Sequence, residues 1–236
     1  MTQPFRHGNL YESKLWNGLS LQLLEDRIEL ALLENLHALS SAVHPGGFSD
    51  ANRIINWKVP LTYQCDDPVR DIVKQCKAWE CNPDTTVGLI TAAKLTHASV
   101  AELEGDRFKL LCCTTVGTRN AARAGKPRST FSAYSAGTIN VIVLIDGQMT
   151  EAAMVNAVIT ATEAKSAALQ QLGIIEMATG DIATGTTTDA IVIGVTRSVS
   201  WNAVHSYAGS ATTIGCSIGE AVYGTVLEAA RTQHEE

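Results

Sequence analysis

The sequence lacks the features that would place the protein in a membrane, on nucleic acid or outside the cell. No apolar run approaches the roughly 20 residues that a bilayer-spanning helix needs, and residues 1–10 lack the basic-then-apolar order of a secretory signal. Acidic residues outnumber basic ones, 24 against 18, and the basic ones are scattered. The sequence therefore shows no basic patch that would attract nucleic acid or an anionic membrane. We expect a cytoplasmic protein that binds a small molecule, with neither a nucleic acid nor a membrane as a partner.

Paired cysteine motifs are also lacking. The six cysteines contain no C-x-x-C pair and no spacing typical of a structural zinc site, so free thiols are expected and no metal site is predicted. Cys112 and Cys113 are neighbours in an apolar stretch. As adjacent strand residues they should point to opposite faces and pack as small hydrophobic side chains.

Neither an internal repeat nor a low-complexity linker divides the chain, so residues 1–236 are predicted to form a single domain. Helices are predicted over 68–80, 150–172 and within 212–231, each with apolar residues at helical spacing. Asp67 and Thr150 are the expected N-caps of the first two. Strands are predicted over 19–24, 28–33, 36–43, 87–93, 98–103, 108–116, 138–145 and 190–195, with a loop opening at His44. Hairpins mixed with strand–helix units indicate an α+β fold: a mixed, largely antiparallel sheet with helices packed on it.

Four segments, 114–125, 137–140, 160–169 and 183–190, combine glycine with threonine, asparagine and a few charges. Glycine lets backbone N–H groups approach a ligand, and hydroxyls and amides bind neutral polar substrates. Turns between strands would explain any one segment equally well, because glycine and asparagine are common turn residues. The second half of the predicted helix 150–172 is more specific, because its apolar stripe turns polar at Thr162 and Ser166.

Glu163 and Lys165 lie two residues apart in that helix, on opposite borders of the stripe, so they cannot pair with each other. A carboxylate beside a packed face is a candidate for acid or base chemistry. An ion pair from Glu163 to Arg119 or Arg123 is the structural alternative.

In order and spacing, the same segments resemble the adenosylcobinamide amidohydrolase family. The resemblance is carried by N-A-x-R-A-G at 120–125, G-T-I-N at 137–140, T-A-T-E-A-K-x-A-A-L at 160–169 and A-T-G-T-x-T-D at 183–189, and it covers roughly residues 38–223. It implies hydrolysis of the amide that joins a corrin ring to its aminopropanol arm, with a small-molecule corrinoid as substrate. No protein-held cofactor is implied, because the substrate brings its own cobalt.

The nucleophile is left open, since the sequence has no G-x-S-x-G elbow, no H-E-x-x-H helix and no papain-like cysteine segment. One hypothesis makes Glu163 or Asp189 a base on water, with Asn120, Asn140 or loop N–H groups near Gly185 holding the oxyanion. A second makes Thr184 or Thr186 a covalent nucleophile. The predicted catalytic residues are Glu163, Asp189, Asn120 and Thr186, and the predicted substrate-binding residues are His44, Arg119, Asn140, Thr162, Lys165, Thr184 and Gly185.

The sequence leaves open the role of His44, the oligomeric state and two alternative functions. His44 could donate to substrate, ligate cobalt or cap the turn before Pro45. The alanine-rich helix face at 164–168 permits packing either across a homo-oligomer or on the sheet. A non-catalytic corrinoid-binding or trafficking protein, or a hydrolase of an unrelated amide, would use the same polar loops.

Overall fold

The computed structural model describes residues 1–127 and 137–235. Within these residues the chain forms three α-helices and eleven β-strands. The helices are α1 (Pro68–Ala78), α2 (Glu151–Gln171) and α3 (Thr213–Thr232). The strands are β1 (Leu10–Glu12), β2 (Ser20–Leu23), β3 (Arg27–Ser40), β4 (Gly47–Lys58), β5 (Thr86–Thr91), β6 (Ser99–Gly105), β7 (Phe108–Val116), β8 (Ala121–Ala122), β9 (Ile139–Asp146), β10 (Gly185–Thr186) and β11 (Ala190–Val195).

Nine of the described strands form one sheet, in the order β1-β2-β3-β11-β9-β7-β6, with β4 on the other side of β3 and β5 beyond it. Most neighbours are antiparallel, whereas β9 pairs with β11, and β4 with β5, in parallel. The predicted α+β class with a mixed, largely antiparallel sheet is confirmed. The remaining strands, β8 and β10, form a separate two-stranded ribbon.

Alternation along the central strands fills two cores. Cys112, Val141 and Val143 face α2 and α3, where they join the largest hydrophobic cluster. Cys113 and Ile142 face the other way and pack with residues of β2, β3, β4 and β5. The two neighbouring cysteines therefore lie on opposite faces of the sheet, as their positions in a strand predict.

Local signals account for the helices. The Asp67 side chain accepts a hydrogen bond from the Arg70 N–H (2.9 Å) at the start of α1. Thr150 does the same for Ala153 (3.1 Å) at the start of α2, and Gly173 ends that helix region with φ +63°. These capping groups satisfy backbone donors that a helix end leaves free.

One prediction about strands is wrong, and the strand β4 was not predicted. The expected strands 28–33 and 36–43 are one continuous strand, β3, whose pairing with β4 shifts register between Ala31 and Leu36. Glu34 and Asn35, between the two predicted strands, are solvent-exposed and belong to the same strand. The loop predicted at His44 is present but short, because β4 begins at Gly47.

Candidate functional site

Sheet topology brings three of the four polar segments to the same end of the sheet. Segment 114–125 continues from the C-terminal end of β7, which is antiparallel to β9. Segments 137–140 and 183–190 precede β9 and β11, which are parallel to each other. The end of β7 and the starts of β9 and β11 must therefore coincide, and the Gly117 N–H donates to the Thr138 carbonyl (2.9 Å) where they meet.

The Asp189 carboxylate is the centre of this cluster. Its Oδ1 accepts hydrogen bonds from the Ile139 N–H (3.0 Å) and the Thr186 hydroxyl. Its Oδ2 accepts from the Thr186 N–H (3.0 Å) and from the Lys165 ammonium of α2. The side chains of Lys165 and Asp189 are only 8% and 11% exposed. One carboxylate thus joins α2, the start of β9 and the loop before β11, and its four acceptor positions are filled.

Gly185 is required by the close approach of this ion pair. A Cβ at this position would lie 2.3 Å from Asp189 Oδ2 and 2.7 Å from Lys165 Nζ. Any side chain would push the two charged groups away from the loop. The glycine in A-T-G-T-x-T-D therefore makes room for the ion pair.

Asn120 ties the first segment to the threonines of the fourth. Its Nδ2 donates to the Thr187 hydroxyl (2.7 Å). The Thr188 hydroxyl donates to the Gly137 carbonyl (2.6 Å), and the Thr138 hydroxyl returns a bond to the Thr188 carbonyl (2.7 Å). A Cβ on Gly137 would meet Asn120 Oδ1 at 2.3 Å, so this glycine also permits a close approach.

Asn140 belongs to a different part of the site. It is buried, and its Nδ2 donates to Asn56 Oδ1 (2.8 Å) and to the Ile90 carbonyl (3.1 Å). Asn56 in turn donates to the Thr115 hydroxyl (2.9 Å). Both amide hydrogens of Asn140 are used inside the sheet, so its geometry supports a structural role more than donation to an oxyanion. Asn56 was missed from the sequence, because a single polar residue in a strand gives no signal of its distant partners, whereas Thr115 lies within the predicted segment 114–125.

Replacing Asn56 with alanine is expected to destabilise the protein. An amide hydrogen of Asn140 and the Thr115 hydroxyl would lose their buried partner, at about 1–3 kcal/mol for each group left unpaired. Urea unfolding of Asn56→Ala would measure the loss. Asn202→Ala, at an exposed position, is the matched control and should change the free energy of unfolding by no more than about 0.5 kcal/mol. Equal stability of the two variants would contradict this role.

The structure does not bring Glu163 to this cluster. Residues two positions apart in an α-helix project about 200° apart around its axis. Glu163 therefore projects from the opposite side of α2 to Lys165. Its side chain is solvent-exposed, and it forms no ion pair with Arg119 or Arg123 among the residues described. Thr162 is likewise exposed, and its hydroxyl donates to the Val158 carbonyl of its own helix (2.8 Å).

Other predicted binding residues lie in loops around the same end of the sheet. The Thr184 hydroxyl accepts from the Ala124 N–H (2.8 Å), and its carbonyl accepts from Ser166 of α2 (2.9 Å). Arg119 is exposed and lines an open cleft. The His44 ring is 3.0 Å from the Pro83 carbonyl, a contact that anchors its loop.

The cleft has a volume of about 610 Å³ and opens beside the polar cluster. Gly117, Arg119 and Gly137 form one wall, and Gly137 contacts Asn120 directly behind it. The cleft is lined by Leu61, Ala92, Ala93, Lys94, Val116, Gly117, Thr118, Arg119, Gly137, Gly173, Ile174, Ile175, Met177, Gln233 and His234. No acidic side chain is among these described lining residues, although the protein has a net charge of -6.

With the motif segments placed at one site, comparison with known proteins decides the family. A sequence profile described as adenosylcobinamide amidohydrolase matches residues 17–236. The chain belongs to that family. An adenosylcobinamide amidohydrolase from Methanosarcina mazei is 32% identical over 199 residues, which cover 82% of this chain and 89% of that protein. The family resemblance seen in the motifs is confirmed, and it extends further toward both ends than residues 38–223.

Two other proteins are similar to this member of the amidohydrolase family. An uncharacterized protein from Methanocaldococcus jannaschii is 31% identical over 211 residues, 78% of each chain. The crystal structure of the PH0078 protein from Pyrococcus horikoshii aligns with 86% of this chain and 76% of its own, at 10% identity and a TM-score of 0.42. A structural similarity this low supports no inference. In the described part of the chain, no helix has the length and apolarity needed to span a membrane.

The buried cysteines Cys112 and Cys113 are expected to be poor nucleophiles. Burial raises the pKa of the Cys112 thiol to about 11, and it raises the pKa of Cys113 as well. A raised pKa leaves little thiolate, which is the reactive form. At about pH 8, iodoacetamide should label exposed Cys216 and leave Cys112 and Cys113 unmodified until denaturant is added. Peptide mass spectrometry would show the pattern, and rapid labelling of either interior cysteine in the folded protein would contradict it.

Proposed function

We propose that this protein hydrolyses the amide between the corrin ring side chain and the aminopropanol arm of adenosylcobinamide. The products are adenosylcobyric acid and 1-amino-2-propanol, and the reaction serves the cytoplasmic salvage of incomplete corrinoids. One observation supports this most strongly: the segments with the family's motifs converge on the largely buried Lys165–Asp189 pair, and Gly117, Arg119 and Gly137 of the same segments line an open cleft. No protein-bound cofactor is part of the proposal.

The reactive group in this proposal is the Thr186 hydroxyl with the Asp189 carboxylate. The hydroxyl already donates to Asp189 Oδ1, and Lys165 holds the other oxygen. A nucleophile within hydrogen-bond reach of a base that a third group orients is the usual arrangement for covalent catalysis. A water could instead take the place of the hydroxyl at Asp189. The existing contact favours the threonine route, because it needs no displacement of a hydrogen bond.

The threonine route and the water route begin with the same bond changes. The nucleophile's oxygen bonds to the amide carbon while its proton passes to Asp189. The C–N bond then breaks, and Asp189 returns the proton to the leaving nitrogen, which departs as the free amine. If Thr186 is the nucleophile, water hydrolyses the resulting ester to the carboxylic acid. Asn120 is the proposed donor to the oxyanion, and its Nδ2 would exchange the long bond to the Thr188 hydroxyl (3.4 Å) for one to the substrate while keeping the bond to Thr187.

The cleft volume indicates how the substrate would enter. A space of about 610 Å³ is typical of a pocket for one drug-sized ligand, and an adenosylated corrin ring is larger than that. The aminopropanol arm would therefore enter the cleft and the ring would stay outside.

A product assay tests the proposed function. The purified protein is incubated with adenosylcobinamide and, in parallel, with simple amides that carry no corrin ring. Equal amounts of adenosylcobyric acid and 1-amino-2-propanol are expected from the corrinoid. Binding without release of the amine would instead identify a corrinoid carrier, and cleavage of unrelated amides in preference to the corrinoid would identify a hydrolase of another substrate.

Glu163→Gln tests whether Glu163 or Asp189, the two carboxylates of the motifs, is the catalytic base. Because Glu163 is exposed and projects away from Lys165, the variant should keep kcat within about twofold of the wild type, as expected of a neutral surface substitution. Steady-state kinetics with adenosylcobinamide provides the measurement. A loss of about a hundredfold or more would move the base from Asp189 to Glu163.

A further inference from the structure

Three large apolar side chains stand exposed at the mouth of the same cleft. Leu61, which follows β4, is 54% exposed, and Ile175 and Met177, which follow α2, are 43% and 84% exposed. We call these three residues the apolar rim. They come from parts of the chain more than 100 residues apart, so local sequence does not explain their meeting at one opening. Apolar groups gathered on a surface beside a cleft are typical of a ligand-binding site.

The loop that carries Met177 is held in place rather than loose. Ile175 bridges to Ile182, and the Glu176 N–H donates to the Asp181 carbonyl (2.9 Å). Lys126 forms an ion pair with Asp181 (2.6 Å). The hydrogen bond from its ammonium group lowers the pKa of that carboxyl, which favours the carboxylate form. An ordered loop therefore presents Met177 to solvent, although exposing an apolar side chain is unfavourable.

We propose that the apolar rim binds the face of the corrin macrocycle and so selects corrinoids over other amides. This inference rests on the proposed function, in which the arm enters the cleft and leaves the ring at its mouth. The chemistry of the lining agrees with such a division. The lining combines polar groups, among them Lys94, Thr118 and Gln233, with the hydrocarbon and thioether of the apolar rim. Methionine adapts its shape to a large irregular ligand.

The test uses Leu61→Ser, Met177→Ser and the double variant, with Val199→Ser as the control. Val199 is 94% exposed and does not line the cleft. Each protein is assayed with adenosylcobinamide and with N-(2-hydroxypropyl)propanamide, which has the amide and the arm but no ring. Binding of adenosylcobyric acid, which has the ring but no arm, is measured by equilibrium dialysis. Thermal unfolding shows that each variant is folded.

The double variant should raise both KM for adenosylcobinamide and Kd for adenosylcobyric acid about tenfold, from lost apolar burial. Its kcat, and any turnover of the ring-free amide, should stay at the wild-type level, as should every constant of Val199→Ser. An unchanged Kd for adenosylcobyric acid, or no wild-type binding of it, would overturn the proposal for the rim. Weaker binding by the rim variants without any hydrolysis by the wild type would retain the rim and reject the proposed function.

Discussion

Asp189→Asn is expected to lower kcat for adenosylcobinamide by about 10²–10⁴-fold, the usual contribution of a general base. Asparagine has a similar size and keeps one acceptor for the Ile139 N–H, but it cannot take up a proton from the nucleophile. The Lys165 ammonium would also lose its buried carboxylate. Leaving one partner of a buried ion pair unpaired costs about 3–5 kcal/mol. Kinetics should therefore be measured at a temperature at which circular dichroism shows the variant to be folded.

A second variant separates catalysis by Asp189 from its role in the fold. Lys165→Met combined with Asp189→Asn removes the unpaired charge, and most of the lost stability should return, because neutral replacements of buried ion pairs are often tolerated. Activity should stay as low as in Asp189→Asn alone. Recovery of activity together with stability would show that the ion pair only holds the loops in place.

Thr186→Val should lower kcat by about a hundredfold or more, whereas Thr186→Ser should stay within about tenfold of the wild type. Valine keeps the branched shape and removes the hydroxyl that donates to Asp189. Serine keeps the hydroxyl. Steady-state kinetics of the two variants therefore reports on the oxygen atom itself, and unfolding curves correct for any loss of stability.

Mass spectrometry distinguishes the two routes that share Asp189. With a slow substrate, the threonine route should accumulate an ester of cobyric acid on the peptide that contains Thr186. Full turnover by Thr186→Val, with no such ester in the wild type, would reject the covalent nucleophile and leave Asp189 acting on water.

The sequence predicted those parts of the fold that depend on local signals. The caps at Asp67 and Thr150 fix the starts of α1 and α2, and the apolar periodicity fixes their lengths to within two residues. The strand β4 was missed because its first half, Gly47–Arg53, is mostly polar and carries no alternating pattern. Its place between β3 and β5 comes from pairing with both neighbours, which a local reading does not reveal.

In the candidate site, too, the local sequence predicts the separate segments but not the contacts between them. The motif segments are recognisable one by one, and their meeting at one end follows only from the parallel pairing of β9 and β11. Lys165 and Glu163 are equally plausible from the helix pattern. The fold separates them, because the largely buried carboxylate that pairs with Lys165 lies 24 residues away, at Asp189. Asn56 and Asn140 are 84 residues apart, and neither position alone indicates a buried amide pair.

Isotope labelling of the products shows whether this protein hydrolyses the amide of adenosylcobinamide. The wild-type protein is incubated with adenosylcobinamide in water enriched in ¹⁸O, and both products are identified by mass spectrometry. We expect one ¹⁸O atom in the new carboxylate of adenosylcobyric acid, together with an equal amount of 1-amino-2-propanol. Recovery of the corrinoid intact, with no amine released, would contradict it.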